Sequence, residues 1–240
     1  MPITALAEAR ALEIAAPCVF LVCWVGYWAF ADQIGLGKRS LMRRMHEYRR
    51  AWLMQMLERD PRIVDIQVVQ VLVHNISFFA SSAILVVGGF LAVLGASDDA
   101  QAVIAEIPFA EDSGPLIWHL KILLMIVIFV YAFFKFTWSL RLFNYVAILI
   151  GAAPGERTPE TIAMAERIAV VADRASGHFN RAMRAFYFGL AALAWFIQSW
   201  LFIVASLLVV VIIYRREHRS TVLTALGPVG RPIPGAPDKR

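Results

Sequence analysis

The sequence contains few charged residues for its length. Of its 240 residues, 17% are charged and 60% are hydrophobic, whereas a soluble domain has about a quarter charged and about half apolar residues. The apolar residues cluster in windows long enough to form membrane helices, and 240 residues cannot wrap several such helices in polar neighbours. The shortage of charge therefore excludes an ordinary soluble globular domain.

Cysteine is also scarce. The two cysteines, Cys18 and Cys23, both lie in the first apolar window. Residues five positions apart on a helix point to different faces, so this pair forms neither an internal disulfide nor a metal-binding cysteine pair.

Catalytic and phosphate-binding motifs are absent from the sequence. It contains no Ser-x-x-Lys, no His-Glu-x-x-His, no phosphate-cradling glycine loop and no paired-carboxylate motif. We therefore expect no cofactor, metal site or nucleic-acid partner, and no sequence feature indicates an enzyme.

What the chain has instead is four apolar windows: Ile14–Ala31, Val68–Ala96, Leu116–Gly151 and Ala185–Tyr214. A helix that crosses a bilayer needs about 20 mostly apolar residues. The windows predict an all-α membrane protein, a four-span transmembrane helix bundle with spans at about 14–34, 66–95, 116–142 and 185–214.

The third window is longer than a bilayer requires. As one helix it would measure about 52 Å against a hydrocarbon core of about 30 Å. Its second part must then project into the cytoplasm and be covered there by helices predicted at about 40–59 and 159–184. We therefore expect residues 1–225 to form one membrane domain with a small helical cytoplasmic cap. Residues 226–240, rich in proline and glycine, are expected to be disordered.

The distribution of lysine and arginine predicts the orientation. Residues 35–65 contain eight basic residues, whereas residues 95–115 contain none and five acidic ones. The first and third connections are therefore expected in the cytoplasm, and the N-terminus outside. Four spans also put the C-terminus outside, although residues 215–240 contain six basic residues. The predicted location is the bacterial inner membrane.

The basic segment 38–59 is predicted to form an amphipathic helix. Apolar and aromatic side chains recur on one stripe, at Leu41, Met45, Tyr48 and Trp52. Such a helix would lie on an anionic lipid surface or pack against the cytoplasmic end of the bundle, and the pattern fits both.

Polar side chains in the second and third spans have two interpretations. His74, Asn75, Ser77, Lys135 and Ser139 fall at similar depth in the inner leaflet and would line a pocket for an ion, a proton or a small anion. In the alternative, they satisfy helix–helix hydrogen bonds and Lys135 extends towards the interface.

Small residues in the second span suggest a helix-packing seam. Ser77, Ser81, Gly88 and Ala92 fall near one helical face, where small side chains let helices approach closely.

One ion pair is predicted at the cytoplasmic mouth of the bundle. Asp65 begins the second span at the level where the third span leaves the membrane at Arg141. We expect these two residues to pair, with Asn144 one turn further completing the hydrogen bonds.

Several stretches resemble the bacterial and plant family called domain of unknown function 599. They are YRRAWLMQMLERDPRIVD, ISFFASSAILVVGGFLAVLGA, FVYAFFKFTWSLRLFNYVAILIGAAP, and RAFYFGLAALAWF with the later RREHRS, which together span most of residues 46–220. Where the family pattern has Asn-x-Gly-Leu-Arg, this chain has Ala182 in place of the glycine. The resemblance implies an integral membrane protein and no assigned activity.

Two functions follow from these patterns. The first is a non-enzymatic interaction or assembly subunit that associates with itself or with another membrane protein through the small-residue seam. The alternative is a transporter or channel component that uses the inner-leaflet polar pocket around His74 and Lys135.

Overall fold

The computed structural model describes residues 3–33, 41–107 and 114–227. They form α1 (Ile3–Gln33), α2 (Leu41–Met56), α3 (Ile63–Gly95), α4 (Ser97–Ala105), α5 (Pro115–Ala152), α6 (Pro159–Ala192), a 3₁₀ turn (Leu193–Phe196), α7 (Ser199–His218) and α8 (Thr221–Leu226). No strand occurs in these ranges. The predicted all-α helical fold is confirmed.

Within the described ranges, four helices are long and apolar enough to cross a membrane. They lie at Leu12–Ala31, Ile63–Gly95, Pro115–Ala152 and Ser199–Leu223. The first two overlap the predicted 14–34 and 66–95, the third continues ten residues beyond the predicted end at 142, and the fourth begins 14 residues later than the predicted 185–214. The short helix α4 lies in the acidic connection, where we predicted no helix.

The chain divides into two compact units. The first unit contains residues 1–34, 78–136 and 180–213, and the second contains 35–77, 137–179 and 214–240. Helix α5 passes from the first unit to the second after Phe136. Its first part, residues 115–136, is about 33 Å long, which suffices for one crossing of a bilayer. That the remainder of α5 lies beyond the membrane, as the sequence predicts, stays a prediction.

Aromatic rings fill the core of the first unit. Phe20 of α1 is fully buried, and its ring centroid lies 5.7 Å from that of Phe188 on α6 and 5.0 Å from that of Phe202 on α7. Phe202 in turn stacks on Trp195 at 5.1 Å. One phenylalanine of α1 thus contacts both of the last long helices.

These contacts show that the chain reverses direction between α6 and α7. In one continuous helix, Phe188 and Phe202 would lie about 21 Å apart along the axis, yet both rings contact Phe20. The helix ends at Ala192, and the chain turns before Ser199. The prediction of a single span at 185–214 is therefore wrong. That window contains no proline and no charged residue, so its hydropathy resembles that of one long helix.

The reversal changes the predicted side of the C-terminus. Residues from Tyr214 onward belong to the second unit, together with α2 and the first part of α6. The hydroxyl of Tyr48 on α2 donates a hydrogen bond to the carbonyl of Leu226 at the end of α8. The described end of the chain therefore packs against the basic helix α2. The four-span prediction instead put the C-terminus and this helix on opposite sides of the membrane. The predicted disordered tail begins in the described α8, and residues 228–240 lie outside the described residues.

Two capping arrangements define helix ends in the second unit. The Thr158 side chain accepts from the backbone N–H of Thr161 at 3.3 Å, and the Thr161 hydroxyl accepts from the backbone N–H of Thr158 at 2.8 Å. This reciprocal box starts α6. At the end of α5, the Arg62 guanidinium donates to the carbonyls of Ile150 at 2.9 Å, Pro154 at 2.7 Å and also Ala153. Arg62 thus satisfies carbonyls that a helix C-terminus leaves without partners.

The predicted packing seam on α3 faces outward in the structure. Ser81, Gly88 and Ala92 are exposed, and Ser77 is half-buried with its hydroxyl bonded to the carbonyl of Val73 at 2.9 Å. The buried face of α3 consists instead of Asp65, Val69, Ile76, Ala80, Ala83 and Val87. Small residues repeat on two faces of this helix, and the face that carries Ala80 and Ala83 is the one buried within the chain.

One glycine is required by packing in the first unit. A Cβ atom at Gly189 of α6 would lie 2.8 Å from the ring of Phe129 on α5. By contrast, a Cβ at Gly88 would meet no atom within 4 Å. Close approach of α5 and α6 therefore depends on Gly189, and the exposed Gly88 has no such role within the protomer.

Candidate functional site

The residues predicted to form a polar pocket occupy different environments. In the second unit, His74 and Asn75 are exposed, whereas Ser139 is fully buried and donates a hydrogen bond to the carbonyl of Ala175 on α6 at 2.7 Å. Lys135 belongs to the first unit, where its ammonium lies 5.3 Å from the centroid of the Tyr131 ring. The exposed His74 and Asn75 and the buried Ser139 do not converge on one cavity.

The predicted pair of Asp65 with Arg141 is replaced by a more local one. Asp65 is fully buried, and its Oδ1 accepts hydrogen bonds from the indole N–H of Trp52 at 2.7 Å and from the guanidinium of Arg59. Arg59 lies six residues before Asp65, in the turn between α2 and α3. The partner was therefore close in sequence, whereas our prediction considered only depth along antiparallel helices.

The side chain of Arg141 is exposed and forms its hydrogen bond within its own helix, α5. Its Nε donates to the hydroxyl of Tyr145 at 2.7 Å, and its guanidinium lies 5.8 Å from the Tyr145 ring centroid. Asn144, the expected third member, is also exposed. Because Arg141 is not enclosed in the protein interior, its charge does not require a buried carboxylate as a partner.

Helix α2 is held against α6 by ion pairs in the second unit. Asp173 contacts the Nδ1 of His46 and accepts from the Nε of Arg49 at 2.6 Å. One heptad earlier on α6, Glu166 pairs with Arg50. The amphipathic helix predicted at 38–59 is thus present as α2, and two of its arginines bind acidic residues more than 100 positions away.

A groove opens between α2 and α6 beside these pairs. Its volume is about 590 Å³. It is lined by Arg44, His46, Glu47, Arg50, Ala51 and Met54 from α2 and by Ile162 and Glu166 from α6. The apolar members Ala51, Met54 and Ile162 lie among charged ones, so the groove combines apolar surface with both signs of charge.

Sequence reasoning did not find this groove. The two walls of the groove are about 110 residues apart in the chain. Glu166 lies in a helical stretch of mixed polarity, where nothing in the neighbouring sequence marks a binding residue. The only available signal was the match between the arginines of α2 and the acidic residues at 166 and 173, which occupy one face of α6 at heptad spacing.

The first unit contains a much smaller cavity, of about 10 Å³. It is lined by Trp24, Tyr27, Trp28, Tyr131, Arg181, Arg184 and Phe188. Arg184 is buried, and its guanidinium lies 5.4 Å from the Tyr27 ring centroid. A cavity of this size holds about one water molecule, so it is too small for an organic ligand.

With this geometry in hand, the chain can be compared with known proteins. The family model described as "Protein of unknown function, DUF599" matches residues 15–222. The chain belongs to this family. The match covers the described residues from the first span to α8 and confirms the resemblance drawn from the quoted stretches. Searches among curated proteins and among solved structures returned no match.

Proposed function

We propose that this protein is a multi-pass protein of the bacterial inner membrane that acts as a non-enzymatic assembly subunit. Its contact surface is the outward face of α3, defined by Ser81, Gly88 and Ala92. The partner is a second copy of the chain or another membrane protein.

The observation that supports this proposal is the exposure of small residues on a membrane helix. In lipid, helices associate by close packing and interhelical hydrogen bonds, and small side chains at the contact allow both. Ser81, Gly88 and Ala92 are exposed, and the space around Gly88 is open for 4 Å beyond a Cβ position. A partner helix that packs on this face would gain contacts that lipid chains do not reproduce as well.

Site-specific photo-crosslinking in native membranes tests the proposal. A photoreactive amino acid replaces Ser81 on the α3 face, and a matched control replaces Phe134, which is 64% exposed on α5 in the same unit. We expect protein adducts from position 81 and only lipid adducts from position 134. In a Gly88→Ile background the adducts at position 81 should decrease at least several-fold. Lipid adducts alone at both positions would contradict the assembly function.

We also propose that the second unit faces the cytoplasm together with the C-terminal end of the chain. The eight basic residues of 35–65 and the six of 215–240 then lie on one side, as the charge rule requires. A green fluorescent protein fused to the C-terminus should fluoresce, whereas an alkaline phosphatase fusion there should be inactive. The opposite pattern would show that the C-terminus is outside.

A further inference from the structure

The groove between α2 and α6 has a distribution of charge that indicates a particular kind of ligand. Two guanidinium groups line it, from Arg44 and Arg50, and two carboxylates, from Glu47 and Glu166. The formal charges of these four groups cancel. A simple anion would be repelled by the carboxylates and a simple cation by the guanidinium groups. A ligand that carries both charges would be attracted to all four.

The ion pairs in the groove leave part of each group available. Arg44 donates through one terminal nitrogen to Glu47 Oε2 at 2.7 Å, and Arg50 donates through one terminal nitrogen to Glu166 Oε1. Among the described residues, these bonds use one oxygen of each carboxylate and one nitrogen of each guanidinium. A guanidinium has five N–H donors and a carboxylate two acceptor oxygens, so a ligand can bind without breaking either pair.

The pairs are also solvated enough to be rearranged. The side chains of Arg50 and Glu166 are 56% and 46% exposed, and those of Arg44 and Glu47 are 24% and 40% exposed. An ion pair of this exposure contributes little to stability. The free energy needed to shift these side chains towards a ligand is therefore small.

We propose that this groove binds a phospholipid whose headgroup contains a phosphate and a primary ammonium group, as in phosphatidylethanolamine. The phosphate accepts hydrogen bonds from Arg44 and Arg50, and the ammonium donates to Glu47 and Glu166. The apolar side chains of Ala51, Met54 and Ile162 contact the glycerol and the first methylene groups of the acyl chains.

Chain connectivity favours a lipid over a free metabolite. Helix α2 is tethered on both sides to membrane-spanning helices, by residues 34–40 to α1 and by residues 57–62 to α3. Even fully extended, these connections reach only about 25 Å and about 20 Å. The groove is therefore joined by short connections to helices long and apolar enough to cross a membrane, and its apolar members Ala51, Met54 and Ile162 favour a ligand that also has an apolar part.

The groove also refines the prediction of anionic lipid at the basic segment 38–59. Counting arginines in the sequence predicts a surface that attracts any anion. In the structure, carboxylates of Glu47 and Glu166 lie beside those arginines. The expected selectivity is accordingly for a zwitterionic headgroup with N–H donors.

Native mass spectrometry of the purified full-length protein tests this directly. The protein in detergent is titrated with phosphatidylethanolamine, phosphatidylcholine or phosphatidylglycerol of identical acyl chains, and apparent Kd values are measured. Phosphatidylcholine has no N–H donor, and phosphatidylglycerol has no ammonium group. We expect the ethanolamine lipid to bind about tenfold more tightly than either, because a hydrogen bond between charged groups is worth at least one such factor.

Variants distinguish this mode from general lipid adhesion. In the double variant Glu47→Gln/Glu166→Gln, the preference should reverse in favour of phosphatidylglycerol, because the groove then has net positive charge. Arg44→Gln/Arg50→Gln should weaken binding of all three lipids. A control variant, Glu58→Gln/Arg157→Gln, removes an exposed ion pair outside the groove and should change none of the values. Melting temperatures without lipid verify that each variant is folded.

Three results would overturn the proposal. One is equal binding of the ethanolamine and glycerol lipids by the unmodified protein, which would mean that the groove recognises any phosphate. Another is lipid binding that is the same in the glutamine variants and the control. The third is competition by soluble phosphoethanolamine at the same concentration as the lipid, which would identify a free zwitterion as the ligand.

Discussion

Replacing Asp65 should destabilise this protein more than replacing any of the exposed arginines of the second unit. Asp65 is fully buried, and its Oδ1 accepts from the Trp52 indole and from the Arg59 guanidinium. Through these bonds it connects α2, the following turn and the first turn of α3. The variant Asp65→Ala removes both bonds at once and leaves the Trp52 N–H without its acceptor.

The size of the effect follows from these contacts. Loss of a hydrogen bond between charged groups costs about 1.5–3 kcal/mol, and an unsatisfied buried donor costs about 1–3 kcal/mol. Two features reduce the sum. The Arg59 side chain is 35% exposed and regains water, and the buried Oδ2 has no hydrogen-bond partner among the described residues, so its removal costs nothing. We expect a loss of about 3 kcal/mol in the free energy of unfolding, near the lower end for a broken buried pair.

Thermal unfolding of the detergent-purified protein, followed by tryptophan fluorescence, measures this effect. For a chain of this size, about 3 kcal/mol corresponds to a decrease of about 6–12 °C in Tm. Asp65→Asn keeps the acceptor for Trp52 and should show about half of that decrease. Arg141→Ala is the matched control, because Arg141 is exposed and bonds only Tyr145 among the described residues. If Arg141→Ala lowers Tm as much as Asp65→Ala, the assignment of Arg59 as the partner is refuted.

Three further predictions concern packing, capping and pH. Gly189→Ala should lower Tm by several degrees, because its Cβ would overlap the ring of Phe129, and overpacking costs about 1–3 kcal/mol. Gly26→Ala, whose Cβ meets no atom within 4 Å, should leave Tm unchanged, and an equal decrease in both variants would contradict the packing described for α5 and α6. Arg62→Ala should speed hydrogen exchange of the amides at the end of α5, whereas Arg62→Lys should retain part of the protection. Unchanged exchange in the alanine variant would exclude a capping role of Arg62 at the end of α5. A hydrogen bond from Thr158 lowers the pKa of Glu160 below its ordinary value of 4.5. The stability that this carboxylate contributes is therefore present above pH 4.5 and is lost as the pH falls through the lowered pKa. The Tm difference between wild type and Glu160→Gln should accordingly shrink in acid. A Tm difference that is constant with pH would refute this contribution of Glu160.

The helices themselves were predictable because length and apolarity are local properties. Windows of about 20 apolar residues mark membrane helices, and the helix predicted at about 159–184 begins at Pro159 as α6. The reversal after Ala192 was not predictable in the same way. The turn sequence LAWFIQ is almost entirely apolar, and hydropathy does not distinguish one long helix from two that meet at an apolar turn.

Side-chain partners were harder to predict than helices, for a physical reason. Both Arg59 and Arg141 were candidate partners of Asp65. Which of them pairs with Asp65 depends on the path of the turn at residues 57–62. On α3, small residues recur on two faces, at Ala80 and Ala83 as well as at Ser81 and Gly88. Only the positions of the neighbouring helices decide which face is buried. The groove between α2 and α6 likewise requires knowledge of which distant segments meet.

The reversal between α6 and α7 has a consequence for how the chain enters the membrane during synthesis. The turn Leu193–Gln198 contains no charged residue, so the tip of a helical hairpin formed by the end of α6 and by α7 would carry no charge into the hydrocarbon layer. An arginine pair placed in the LAWFIQ turn should therefore arrest insertion of the last two helices and leave the first three in place.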